Sequence, residues 1–327
     1  MEPIRADRRP RTPIFSLWRR CRRAASDASI APSFAARRVV VLLAAVAALV
    51  APLPAELATL ASWNIRHLGH GEHKSFPLLG EVVRVGEFDF LAVQEAMTDD
   101  GIEKLRAAIE HATGTRWEAM SSHVLGRGAY KEKYAFLWND DVIEYVDGAV
   151  VYLDVTDRFA REPYSARFRI RESGLTFVAA TVHILHGRRE SDRTPETVAL
   201  AEYWRWLEEV YADDATRLLL FGDFNLRPTH PAWAALRLHA EPVIVRGATT
   251  LSAIDGRYAN LYDNIFVPLE RTVQVIAAGI LEFPAVLGLT HEDARLRVSD
   301  HAPVFITIDD APTDPRPVPL ERAVGYD

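Results

Sequence analysis

Between residues 57 and 308 the chain is divided into short apolar runs of strand length, and acids, amides and histidines repeatedly stand at their C-terminal ends. LATLASW runs into Asn64, FDFLAVQ into Glu95, LTFVAATV into His183, and LLLFG into Asp223 and Asn225. Asp263 and Asn264 sit beside the IFV run, and Asp300 and His301 precede APVFITI. A buried polar group left without a partner costs roughly 1–3 kcal/mol. So many of them beside core strands need compensation from one another or from a cation.

Strand composition marks 57–65, 88–96, 134–139, 149–155, 165–170, 175–184, 217–224, 260–267 and 302–308. Residues 102–112 carry Ile102, Leu105 and Ile109 at helical spacing. A second helix is expected over 195–212, with Pro195 at its start and Leu200, Tyr203, Trp204 and Leu207 as its core stripe. There is no internal repeat and no dinucleotide glycine fingerprint. Many strands with few helices predict an α/β (α+β) domain over 56–308, with two sheets face to face and helices outside. Seven Trp, ten Tyr and fourteen Phe suffice for a sizeable core, and a single cysteine excludes a disulfide framework, a cysteine-rich zinc site and an iron–sulfur cluster.

Charge is unevenly placed. Residues 1–38 hold ten arginines against three acids, a balance of +7, so a total of -7 leaves -14 on residues 39–327. The VVVLLAAVAALV run from Val39, behind Arg37–Arg38, has the length of a signal-peptide apolar core. Residues 1–55 are therefore expected to be a basic leader that sends the protein to the periplasm or outside the cell, with an uncleaved membrane anchor as the alternative. The proline-rich stretch 309–327 is expected to be a disordered tail.

The same strand-end residues suit metal-assisted phosphoester cleavage. A hard cation such as Mg²⁺ takes carboxylates, waters and phosphate oxygens. Two imidazoles can share the proton handling, each oriented by a carboxylate, with Glu132 and Asp263 as available partners. Taken singly, each residue has a plain alternative: a satisfied strand-end histidine, an Asx turn at Asp223–Phe224–Asn225, or a turn-forming aspartate. Their recurrence in one context favours a shared site.

The ordered set SWNIRHLG, FLAVQE, LGRGAYKEKY, FAREP, ATVHI, LFGDFN, LYDNIFV and VSDHAPV resembles the endonuclease/exonuclease/phosphatase superfamily over about residues 57–308, and within it the deoxyribonuclease I branch. GDFN and SDHAP are shared by nucleases and phosphatases; NIR, LGR-x-x-YKE-x-Y and REP are the more discriminating stretches. The resemblance implies a four-layer sandwich of two mainly antiparallel β-sheets flanked by helices. It implies that Asn64, Glu95 and Asp300 bind metal (Mg²⁺, with Mn²⁺ or Ca²⁺ as substitutes), and that His183 and His301 are catalytic. Glu132 and Asp263 would be their respective partners, and Asp223 and Asn225 would position the phosphate and a metal-bound water.

Arg66, Tyr130 and Arg161 would touch the DNA backbone and minor groove, with Arg161 carried at a loop tip. AMTDDG after Glu95 supplies no basic residue, which removes one backbone contact. The implied activity is endonucleolytic hydrolysis of nucleic acid, DNA being favoured, with little sequence specificity. No protein partner is inferred and a monomer is expected. The alternative on the same scaffold is a phosphatase or a phospholipid phosphodiesterase of sphingomyelinase type.

Overall fold

The computed structural model describes residues 58–212, 216–270 and 273–309. The expected leader and all but the first residue of the expected tail lie outside the described residues. That first residue, Asp309, pairs with Gln274 in a β-ladder.

Twelve strands form two six-stranded sheets. The first has the order β11(Gln274–Ile280), β12(Val304–Asp309), β1(Ala58–Leu68), β2(Phe90–Ala96), β4(Lys133–Asn139), β3(Trp117–Ser121). The second has the order β5(Ile143–Val151), β6(Tyr164–Ile170), β7(Thr176–His183), β8(Thr216–Asp223), β10(Asp263–Pro268), β9(Ala240–Pro242). Both repeat one plan. A single parallel pair sits at the centre, β1 with β2 and β7 with β8, and every other pairing is antiparallel. Parallel strands end at the same edge, so each sheet brings two strand C-termini together at its middle.

Successive side chains on a strand point to opposite faces, so each sheet can be buried on both sides. Leu60, Phe90, Phe136, Phe168, Phe177 and Phe221 fill the space between the sheets. Ala61, Leu91 and Val93 turn the other way, against α1(Phe76–Val85) and α2(Asp99–Thr113). Val178, Ala180 and Val182 face α3(Thr194–Val210), whose Leu200, Tyr203, Trp204 and Leu207 are buried as expected. Two short helices, α4(Phe283–Val286) and α5(His291–Arg297), lead into β12. The layers run helix, sheet, sheet, helix, as expected.

The strand expected over 149–155 is displaced. β5 runs from Ile143 to Val151, and the chain then leaves the sheet. Asp154 turns it: its carboxylate accepts from Phe159 N at 2.7 Å and from Thr156 Oγ1 at 3.2 Å, leaving Leu153 and Val155 exposed.

Candidate active site

Strand register assembles half of the site. His183 stands opposite Asp223 in the parallel β7–β8 pair, and Asp223 stands opposite Asp263 in the antiparallel β8–β10 pair. Directly paired residues share a face, so the three form one row across the sheet. Gly222 permits the close approach of β7: a Cβ there would lie 2.3 Å from the carbonyl oxygen of Val182.

The first sheet supplies the facing half. Asn64 is the last residue before the β1–β2 register shifts, and Glu95 immediately beyond it adopts φ 57°. That break turns the Glu95 carboxylate into reach of Asn64 Nδ2, which donates to Glu95 Oε1 at 3.0 Å and to Asp223 Oδ2 at 3.1 Å. One amide therefore bridges the two sheets at the site. Asn64 Oδ1 is buried with no hydrogen-bond partner.

Each imidazole is held from behind. His183 Nδ1 lies 3.0 and 3.1 Å from the two oxygens of Glu132, and His301 Nδ1 lies 2.8 Å from Asp263 Oδ2. Both Nε2 atoms then face the same oxygen, Asp223 Oδ2, at 3.5 Å from His183 and 3.7 Å from His301. Burial alone would lower the pKa of His301, but Asp263 and Asp223 outweigh it and push it up to about 10. Burial also raises Asp263. The shared proton belongs on the ring, because the ring faces a second carboxylate, Asp223, across its other nitrogen. His183 is raised as well: burial works against its charge and Glu132 overrides it. Burial pushes Glu95 up, yet His183, Asn64 and the Tyr130 hydroxyl bring it down to about 2.

Asp223 and Asn225 do form an Asx turn, with Asn225 N donating to Asp223 Oδ1 at 2.9 Å and Asn225 at φ 50°. The turn aims the Asn225 side chain at Ile184 O, to which its Nδ2 donates at 2.8 Å. The turn and the functional reading are compatible. Glu95, Tyr130, Arg161, His183, Asp223, Asn225, Asp300 and His301 all line one cleft of about 480 Å³.

Arg161 requires a correction. It is buried at 6% exposure rather than carried at a loop tip. Its Nε and Nη2 donate to His183 O at 3.1 and 2.7 Å, and Nε lies 3.4 Å from Glu132 Oε1. The guanidinium thus fixes the His183–Glu132 pair, with the Tyr130 ring stacked 5.7 Å from its centre. Arg66 is partly exposed and pairs with Asp300 at 3.4 Å.

Three residues escaped sequence reasoning. His186 lies 2.8 Å through Nδ1 from Asn225 Oδ1, and its spacing of three from His183 was the available signal. Arg295 on α5 reaches Asp300 at 3.5 Å, and no motif marks it. Glu196 in the first turn of α3 accepts from Ala160 N and Leu185 N, both at 3.1 Å; it looks like an ordinary helix-start acid in the sequence.

Comparison with known proteins places this geometry. The model of the Endonuclease/Exonuclease/phosphatase family matches residues 61–301. A protein named deoxyribonuclease from Thioalkalivibrio sp. (strain K90mix) is 52% identical over 253 residues, covering 76% of this chain and 70% of that one. Deoxyribonuclease-1 of Gallus gallus is 29% identical over 299 residues, covering 84% and 99%. Among solved structures, the endonuclease/exonuclease/phosphatase from Bacteroides vulgatus superposes with a TM-score of 0.58 at 18% identity, covering 78% of this chain and 99% of the other.

Proposed function

Because the chain belongs to the endonuclease/exonuclease/phosphatase family, we propose that it is a divalent-metal-dependent phosphodiesterase that cuts DNA as an endonuclease with little sequence specificity. The observation that carries this reading is the convergence of two carboxylate-held imidazoles on one face of Asp223, beside the Asn64–Glu95 pair.

The oxygen donors fit a hard cation. Glu95 is ionised across the physiological range, and the buried Asn64 Oδ1 lacks a partner. Donor atoms of Asp223, Asp263 and His301 also lie within 4.8 Å of one another. Their imidazole carries a proton and would repel a cation, so the oxygen set of Asn64, Glu95 and Asp300 is the better assignment for Mg²⁺. When bound, the ion would neutralise phosphate charge and polarise the phosphorus–oxygen bonds.

The chain's own groups then divide the work. The scissile phosphate occupies the cleft before the two Nε2 atoms. His301, held protonated by Asp263, donates to the leaving oxygen. Asp223, facing both rings, orients the attacking water, and the Asp223–His183 pair takes up its proton. Asn225 positions an oxygen of the phosphate, while Tyr130 and Arg66 at the mouth meet the strand.

Incubating the purified chain with supercoiled plasmid, with Mg²⁺ and with EDTA, tests the proposal. Chelator-sensitive nicking is expected. Intact plasmid alongside hydrolysis of a sugar phosphate or sphingomyelin would overturn it in favour of the phosphatase or phospholipase alternative. Export is proposed on the strength of Arg37–Arg38 and the apolar run behind them. N-terminal sequencing of the mature protein tests that, with cleavage near Ala51–Ala55 expected.

A further inference from the structure

Between His183 and α3 the chain folds back on itself. Gly187 takes φ 63°, and a Cβ there would lie 2.5 Å from Asp192 Cβ. Asp192 closes the loop by accepting from the backbone N–H of Arg188 at 2.8 Å and of Arg189 at 3.0 Å. The fold-back returns Arg193 to the segment that leaves β7. Its buried guanidinium donates through Nε to His186 O at 2.8 Å, and through Nη1 to Asn225 O at 2.5 Å and Tyr262 Oη at 3.0 Å. It also lies over the Tyr262 ring, 5.2 Å from its centre. The planar fork of one arginine thus ties together three stretches of chain, and His186, Asn225 and Tyr262 all line the catalytic cleft.

What this clamp brings together is a side-chain contact. His186 Nδ1 lies 2.8 Å from Asn225 Oδ1, and Asn225 Nδ2 donates to Ile184 O at 2.8 Å. Exchanging the two ends of the amide would set Oδ1 against Ile184 O, oxygen against oxygen, so the carbonyl decides which end is which. An amide oxygen only accepts, and His186 Nδ1 therefore carries the hydrogen. The amide is held at both ends, with one Nδ2 hydrogen left over. Asn225 is buried in the cleft wall, so that hydrogen is the donor its side chain can offer to a phosphate oxygen. Without the imidazole, Oδ1 would lose its anchor and the donor would be aimed loosely.

We propose that His186, clamped by Arg193, is a positioning residue that fixes the Asn225 amide with Nδ2 toward the scissile phosphate, an inference that rests on the phosphodiesterase reading above. The imidazole does no chemistry itself. It acts through Asn225, because a donor already aimed at developing charge needs no reorganisation during reaction. Among the described residues His186 Nε2 has no hydrogen-bond partner, and the ring lines the cleft. Direct contact of Nε2 with the substrate is therefore the rival that the experiment has to separate.

Three substitutions distinguish the two roles: His186→Ala removes the ring, His186→Phe keeps a ring without a donor, and His186→Asn places an amide N–H where Nδ1 stood. Each is made in the wild type and in Asn225→Ala, with melting temperatures to confirm folding. kcat and KM are measured with Mg²⁺ on supercoiled plasmid and on bis(4-nitrophenyl) phosphate. His186→Ala and His186→Phe are expected to lower kcat about tenfold on both substrates with KM nearly unchanged, and His186→Asn to restore most of the loss. In the Asn225→Ala background none of the three should cost anything further, since a residue acting only through another is silent once that one is gone. A further tenfold loss on top of Asn225→Ala, an Asn variant no better than the Ala variant, or an undiminished His186→Ala rate each overturns the proposal. If the wild type leaves plasmid intact but cleaves the small ester, the nuclease reading fails while the same cycle on the small ester still decides the positioning role. A wild type that turns over neither overturns both.

Discussion

At the scale of single residues, the site depends on two imidazoles held in place, one to give a proton and one to take it. Replacing His183 or His301 by Ala removes a proton-transfer group, and each is expected to lower kcat by about 10²–10⁴-fold while leaving plasmid binding largely intact. Single-turnover nicking checks this, and a folded His301→Ala protein of near-normal rate would refute the assigned role. Two of the five N–H donors of Arg161 are committed to His183 O, and the guanidinium also faces Glu132 at 3.4 Å, so it holds the catalytic pair in place as well as lining the cleft. Arg161→Ala is accordingly expected to impair plasmid and small-ester cleavage to the same degree; selective loss on plasmid would return it to the DNA interface. The His301–Asp263 pair also carries a signature in the metal-free protein. Its folded-state pKa of about 10 lies above the ordinary value of 6.5. The folded state therefore binds more protons between those limits, and the stabilisation is complete below 6.5 and fades as pH rises toward 10. Urea titrations in EDTA across that window should show stability falling for the wild type, with a shallower slope for His301→Gln.

At the scale of elements, what matters is how helices fasten the strand ends. Glu196 lies in the first turn of α3, and its carboxylate holds the backbone of Ala160 beside Arg161 and of Leu185 beyond His183. Glu196→Ala would remove two part-buried hydrogen bonds, at a cost of about 1–3 kcal/mol. Denaturant midpoints and activity should fall together, since the same bonds secure the loop carrying Arg161. Element prediction worked where apolar spacing was clean, as in α2, α3, β7 and β8. It missed α1, whose pattern is interrupted by Gly80. That glycine serves packing, since a Cβ there would lie 2.3 Å from Ala108 O on α2. β11 was also missed: an edge strand with no buried residue and no alternation to mark it.

At the scale of the whole molecule, an acidic body meets a polyanion through a few local cations. Arg66 and Arg295, both shared with Asp300, and Lys74, whose pKa burial lowers to about 8, are the cations lining a basic cleft of about 790 Å³ beside the active site. Phosphate contacts should therefore number roughly three, and log Kd for duplex DNA should vary with log salt with a slope of about 3 or less. Fluorescence anisotropy with Ca²⁺ in place of Mg²⁺ would measure it, and a slope near 8 would mean that a far larger basic surface has gone unrecognised.

The layered fold and the identity of nearly every candidate side chain were legible in the sequence, because strand periodicity and short motifs such as GDFN and SDHAP are local properties of the chain. Orientation was not local. Arg161 reads as a loop-tip arginine until the strand that ends in His183 is seen packed against it. The basic cleft exists only because the β1–α1 connection, the 252–256 loop and α5 meet after more than one crossing of the sheets. Which side chains are present is written along the chain; which of them face a neighbour and which face the substrate is set by sheet register and layer packing, since contacts between residues far apart in sequence leave no periodic trace in either partner.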